Sequence, residues 1–382
     1  MSITLTHIDE VLPHIEGRHE FAVADRGSYK VVDYRCTTHG TFDDRVRIEC
    51  RGLKFDQDGW IIARPFHKFF NVGEVPETRV EAIDFGKPHV IMDKLDGSMV
   101  HPALISGVVV LMTRAGRTDV ARLAERHLTT ELIIACREWL EEGWTPIFEF
   151  TAPDNRIVIN YSESRLTVLA VRDTMTGRYS TNEAINFGAS SGLRLVKHHE
   201  SLWRTGEEFR DYAKAVMGAE GFVVRFADGL MVKAKAEDYV LKHRAKDSVL
   251  KEKTVLALVL RDEIDDVLAL LDDTDRARVE RYRDQVEDGL IDTTFRVSGI
   301  VSSGAALSQK EFATAHLADV EPALRPTCFA VRAGANPWDV VRATALKGTG
   351  SITGVDSVRH LFGATFVPAP LNDNGLALEV AA

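Results

Sequence analysis

The sequence predicts an α+β protein: antiparallel sheets with helices on their outer faces, followed by a helical C-terminal part. Three observations predict it. Short runs rich in β-branched and aromatic residues crowd residues 29–226. One amphipathic stretch, residues 118–142, interrupts them with leucine and isoleucine at helical spacing and stops at Gly143. From about Glu237 onward the strand signals thin out and helical periodicity takes over.

In chain order, strands are expected at 29–34, 46–55, 60–66, 89–92, 108–113, 146–150, 166–171 and 222–226. A second helix is expected over 202–217, then long helices over 239–271 and 275–301, with shorter ones to about Leu361. The organisation that follows is a first domain over 1–243 and a helical second domain over 244–382. The last dozen or so residues, with Pro368, Pro370 and Gly375, read as a loosely ordered tail.

A chain of 382 residues can bury two cores, and its 45% hydrophobic and 27% charged content is that of a globular protein. The apolar run 103–112 is far too short to span a bilayer, and residues 1–20 mix acids and histidines in a way no signal peptide does. A cytoplasmic monomer without a membrane partner is expected, in the host cytoplasm if the chain is phage-encoded. Cys36, Cys50, Cys136 and Cys328 are dispersed, as reduced thiols are, with no paired spacing for zinc or a disulfide frame. A net charge of −10 argues against a generic polyanion binder but leaves room for a local basic cleft.

Chemistry concentrates in five segments. Lys94-Leu95-Asp96-Gly97-Ser98 follows the apolar run Val90-Ile91-Met92. A lysine there becomes a nucleophile if burial and neighbouring cations disfavour a protonated amine. Gly97 permits close backbone approach, and Ser98 offers a hydroxyl. Glu49-Cys50-Arg51-Gly52-Leu53 sets an arginine beside a glycine, and Phe148-Glu149-Phe150 sets an acid between aromatics. Glu220-Gly221 opens a strand, and Lys233 and Lys235 share one face of another by period-two alternation. Taken singly each has a plain alternative: a solvated lysine face, an edge carboxylate at Glu149, or a surface pairing of Arg51 with Glu49 or Asp44. Taken together they are the parts needed to bind and attack a nucleoside triphosphate.

In order and spacing these segments resemble the covalent nucleotidyltransferases, the superfamily of ATP-dependent nucleic acid ligases and messenger RNA capping enzymes. Tyr34, the ECRG run Glu49-Cys50-Arg51-Gly52, the stretch from Arg64 to Asn71, and Phe148-Glu149-Phe150 followed by Asn155-Arg156-Ile157-Val158 look like the phage RNA ligase 1 family. The resemblance covers about 29–239. It implies a nucleotidyltransferase (adenylation) domain in which Lys94 is adenylylated and Tyr34, Arg51, Lys68, Glu149, Lys233 and Lys235 contact ATP. Gly97, Glu220, Gly221 and Tyr239 fall on supporting motif positions, and Asp265, of the pair Asp265-Asp266, falls where the family has an acid associated with a divalent ion. Implied with them are ATP, Mg²⁺ or Mn²⁺, and RNA bearing a 5′-phosphate and a 3′-hydroxyl, including nicked transfer RNA. A DNA ligase or capping enzyme, or an RNA-binding relative without catalysis, are the alternatives; the first two usually append a β-barrel where this chain turns helical. One departure stands out. The family often has a lysine before the glycine of a KSKG-like strand, whereas here the run is Thr113-Arg114-Ala115-Gly116. Ala115 carries no charge; Arg114 is the candidate substitute, though strand alternation would turn it to the other face.

Overall fold

A computed structural model describes residues 3–38 and 40–368. Pro370 and Gly375 of the expected tail lie outside the described residues. The chain divides between Val240 and Leu241 into two compact units.

The first unit holds three sheets. The strands Phe21–Asp25, Lys30–Tyr34, Leu53–Phe55 and Ile61–Ala63 form a four-stranded antiparallel meander. A second sheet orders Tyr179–Ser180, Arg165–Asp173, Trp144–Thr151, Ser98–Ile105 and Val108–Met112, all antiparallel. The third orders His198–His199, His89–Lys94, Gly221–Phe226, Met231–Lys235 and Phe70–Asn71. Its last pairing is parallel, the one departure from the expected antiparallel scheme among the described strand pairs.

Alternation along these strands builds layers. Phe148 and Phe150 point to one side of the second sheet, into a core shared with the helices Asp119–Glu125, Thr130–Glu141 and Thr181–Ser191. Ile91, Phe222, Val224, Val232 and Ala234 point away from it on the third sheet, against Phe209 and Ala213 of the helix Gly206–Ala215. The remaining faces meet through Phe66, Ile147, Ala170 and Met231, with Met99, Leu169 and Val223 alongside. Helices therefore cover the outer faces of two facing sheets, and the functional side chains fall between those sheets.

Several boundaries differ from expectation for local reasons. The helix expected over 118–142 is two, because Thr129 leaves the helical path and caps a new one by accepting from the Leu132 amide. The expected strand 46–55 begins instead as the helix Arg45–Glu49, whose first amides are capped by Asp44. Only Leu53–Phe55 is strand. The helix expected over 202–217 shortens to Gly206–Ala215, capped by Thr205. The stretch 239–271 breaks into the helices Glu237–Ser248, Glu252–Leu260 and Ile264–Leu268.

Among its described residues the second unit is helical throughout. Its spine is the helix Asp273–Ser303, capped by Asp272, with Val279, Tyr282, Val286, Leu290, Thr293 and Val297 buried at three- and four-residue intervals. That stripe packs with Leu256, Cys328, Val341 and Phe312. The acidic run 272–275 is thus a helix start, and Asp275 ion-pairs Arg278. No described helix is long and apolar enough to cross a membrane.

Candidate active site

Lys94 is the last residue of its strand, paired in register with Gly221. Alternation sends Met92 and Lys94 toward the facing sheet, while Ile91 points into the opposite core. Gly221, at φ 138°, carries no side chain where a Cβ would strike the Ala234 carbonyl, so three strand ends converge: Lys94, Gly221 and Lys235. Beside them the buried carboxylate of Glu220, its side chain 4% exposed, joins two amines through one oxygen. Lys94 Nζ lies 2.7 Å from Oε1 and Lys235 Nζ 3.1 Å.

Glu149 comes from the facing sheet. Phe148 and Phe150 occupy the other face of its strand, so Glu149 is turned inward and buried. Its Oε1 accepts the Gly97 amide at 3.1 Å. Gly97 is required here by close approach: a Cβ would overlap the Phe150 carbonyl and crowd Thr151 Cγ2 at 2.9 Å. Burial raises the Glu149 pKa from 4.5 to about 8; Lys94 pulls it down, and Glu220 and Asp96 add to the rise. Glu149 therefore holds a proton near neutral pH.

The rest of the pentad is bracketed rather than free. Asp96 accepts from Tyr239 Oη at 2.7 Å and from the Val158 and Ile159 amides at 2.8 and 2.6 Å. Ser98 hydrogen-bonds Asn155 instead of offering its hydroxyl to the cleft. Burial, then Glu220 and Asp96, push the Tyr239 phenol well up, so it stays a neutral donor. The stretch from Asn155 to Ile159 is thereby tied to the lysine's own loop.

Cations line the wall. Arg51 donates to the Phe66 carbonyl at 3.3 Å and lies 5.9 Å from the Phe69 ring, which Lys233 faces at 5.5 Å. Lys68 sits among the rings of Tyr34, Phe42 and Phe70, 5.0–5.9 Å from each, with Glu74 3.8 Å away. Burial, then Lys68, Lys94 and Arg51, lower the Lys233 pKa to about 8, with Glu74 opposing them. Arg51 also borders a cavity of about 210 Å³ between the sheets, walled by Phe66, Phe69, Met99, Leu169 and Val223, with Asp93, Lys94 and Glu149 as further polar lining. Flat apolar walls beside a cationic rim suit a heterocyclic base carrying phosphates.

Lys94, Arg51, Lys68, Glu149, Glu220, Lys233 and Lys235 thus come together, with Tyr34 behind Lys68. Asp265 belongs to the second unit. It is exposed on the helix Ile264–Leu268 of the second unit, 3.5 Å from Arg283, and among the described residues no three acids, histidines or cysteines converge as a metal cage. Glu49 is no surface partner for Arg51: it is buried between Arg172 (2.7 Å) and Arg64 (3.0 Å). Burial alone would raise its pKa, but Arg172 and Arg64 overcome it and hold it at about 2. Sequence reasoning missed the apolar walls Met99, Leu169 and Val223 and the Asp96 bracket, since only the assembled sheets bring them to the site.

A facing-sheet cleft with a cation-ringed lysine defines the class, and comparison with known proteins defines the family. The family model described as RNA ligase matches residues 49–250. A Thermovibrio ammonificans protein provisionally named an RNA ligase is 35% identical over 280 residues, covering 70% of this chain and 72% of that one. RNA ligase 1 of bacteriophage TS2126 is 28% identical over 215 residues, covering 53% of this chain and about half, 54%, of the phage protein. Among solved structures, an archaeal ATP-dependent RNA ligase overlaps 80% of this chain and 84% of its own at 17% identity and a TM-score of 0.46, too loose a likeness to build on. The chain belongs to the RNA ligase family.

Proposed function

We propose that this RNA ligase uses ATP and joins a 5′-phosphate to a 3′-hydroxyl by three nucleotidyl transfers through Lys94. The observation that carries the reading is the placement of Lys94 Nζ 2.7 Å from Glu220, at the mouth of an apolar slot and beside Lys233 and Lys235. In the first transfer Nζ attacks the α-phosphorus of ATP. The N–P bond forms, the bond to the β-phosphate oxygen breaks, and pyrophosphate leaves with its electron pair. Lys94 sheds one proton to become the free amine, for which Glu220 is the adjacent acceptor, and a second from the N–P adduct to solvent. Arg51, Lys68, Lys233 and Lys235 offset phosphate charge. AMP then passes to the RNA 5′-phosphate, and the 3′-hydroxyl finally displaces it.

Glu149, protonated at neutral pH, is suited to donate to a ribose hydroxyl while its other oxygen holds the Gly97 amide. A divalent ion, Mg²⁺ or Mn²⁺, would have Glu220 as its protein carboxylate and would supply charge stabilisation. Residues 1–243 would thus form the adenylation domain and 244–382 a helical domain that selects the RNA, with a broken transfer RNA as the proposed substrate. Competition between a nicked anticodon loop and unstructured RNA tests that choice; indifference to the loop refutes it. Incubation with α-labelled ATP tests the chemistry: label must stay on the denatured protein and vanish in Lys94→Ala.

A further inference from the structure

The stretch from Arg64 to Phe69 brings Phe66 and Phe69 to the wall of the slot, yet it belongs to no strand or helix. Its backbone polar groups are therefore held by side chains and loops from elsewhere. The Arg64 amide donates to Thr145 Oγ1 at 3.0 Å, and the Pro65 carbonyl accepts from Arg172 Nη1 at 2.6 Å. The Phe66 carbonyl accepts from Arg51, and the Lys68 amide donates to the Ile48 carbonyl at 2.8 Å. His67, at the centre, has one partner for both its ring and its amide. The Tyr179 phenol oxygen lies 2.9 Å from His67 Nδ1 and 3.4 Å from His67 N.

Burial, then Arg172, lowers the His67 pKa to about 3, so the imidazole is neutral and has one accepting nitrogen. Burial raises the Tyr179 phenol, which keeps its proton. With the imidazole proton on Nε2, the phenol donates to Nδ1 and accepts from the His67 amide, a clasp of two hydrogen bonds. The ring of Tyr179 is fixed as well. It pairs in register with Arg172, whose guanidinium lies 4.7 Å from the ring centre. Arg225, from the facing sheet, lies 5.3 Å from it and donates to Thr181 Oγ1 at 2.8 Å. Phe66 stacks on the same ring, with centroids 5.7 Å apart and planes 28° from parallel. Tyr179 thus holds the wall twice, by the clasp on His67 and by the stack on Phe66.

We propose that Tyr179 is a positioning residue for ATP binding: through His67 it sets Phe66 against the slot, with Arg51 tied beside it on the Phe66 carbonyl. The inference rests on the reading of the slot as the nucleotide site. Tyr179 is not itself among the residues that line the cavity, so its influence on the nucleotide has to pass through those that do.

Wild type, Tyr179→Phe, His67→Phe and the double variant are compared in lysine-AMP formation over a range of ATP concentrations. Tyr179→Phe keeps the stacked ring and opens the clasp. It should raise the KM for ATP about 3- to 10-fold, the worth of a buried hydrogen bond, and leave the maximal rate within about twofold. His67→Phe should raise KM by a similar factor. The double variant should be no worse than either single one, because both changes open the same clasp. A merely structural role would reduce the amount of folded enzyme, and with it the labelling amplitude, while KM stayed where it is. An unchanged KM in the single variants, losses confined to amplitude, or effects that multiply in the double variant overturn the proposal. If Tyr179→Phe does not fold, the KM of His67→Phe decides. Failure of wild type to label with ATP would instead overturn the adenylation reading itself, and this proposal with it.

Discussion

Removing the charge of Glu149 should stabilise the unliganded protein, increasingly so as the pH rises. Glu149 titrates at about 8 in the fold against 4.5 unperturbed, chiefly because it is buried. Its folded pKa is raised, so between those values the folded state binds the proton that the unfolded state has released. Stability attributable to this carboxyl is complete below about 4.5 and is lost as the pH climbs toward about 8. The slope is about 1.4 kcal/mol per pH unit, or about 2–3 kcal/mol between about pH 5.5 and 7.5. Glu149→Gln abolishes that dependence while keeping an oxygen to accept the Gly97 amide. Urea unfolding followed by tryptophan fluorescence is the assay. Four of the five tryptophans (Trp60, Trp139, Trp144 and Trp203) lie in the first unit, so the signal reports mainly on it. The stability difference, variant minus wild type, should grow steadily over that range. A difference that stays flat, or shrinks, refutes the assignment of a proton to Glu149 at neutral pH.

Other perturbations follow from the same geometry. Glu220→Gln leaves the ammonium groups of Lys94 and Lys235 without their shared anion, and lysine-AMP formation measured by label transfer should fall by about 100-fold or more. Gly97→Ala drives a methyl into the Phe150 carbonyl at a position fixed by sheet pairing, so it should displace the lysine loop and reduce labelling by a similar factor while the circular dichroism spectrum is kept. Glu49→Gln strands the guanidinium groups of Arg64 and Arg172 in the interior, with an expected loss of about 3–5 kcal/mol and a Tm lower by roughly 10 °C in a thermal scan. In wild type the Glu49 carboxyl is held down to about 2, so its contribution is present above about 4.5 and disappears as the pH falls toward 2.

The parts of this molecule legible in the sequence are those set by short-range rules. Period-two alternation placed Lys233 and Lys235 on one face, and they share the inner face of their strand, opposite Val232 and Ala234. Glu149, between Phe148 and Phe150, is buried rather than an edge carboxylate. The same rules misled at 46–55, where Val46 and Ile48 look like a strand but Asp44 caps a helix turn, a signal present in the sequence as Asp-Asp before the apolar positions. Thr129 likewise marked the break in the expected long helix. What no local rule reveals is partnership across the fold. Glu49 meets Arg172 across 123 positions, Asp96 meets Tyr239 across 143, and Lys54 meets the Arg114 carbonyl across 60.

The most direct measurement is the mass of the intact, denatured protein after incubation with ATP and Mg²⁺, with the modified residue located by peptide sequencing. A gain of one AMP on Lys94, abolished in Lys94→Ala and also in Lys94→Arg, whose guanidinium does not give up its proton, is the result expected here. An AMP adduct on another residue, or an adduct that persists in Lys94→Arg, would contradict the assignment of Lys94 as the nucleophile.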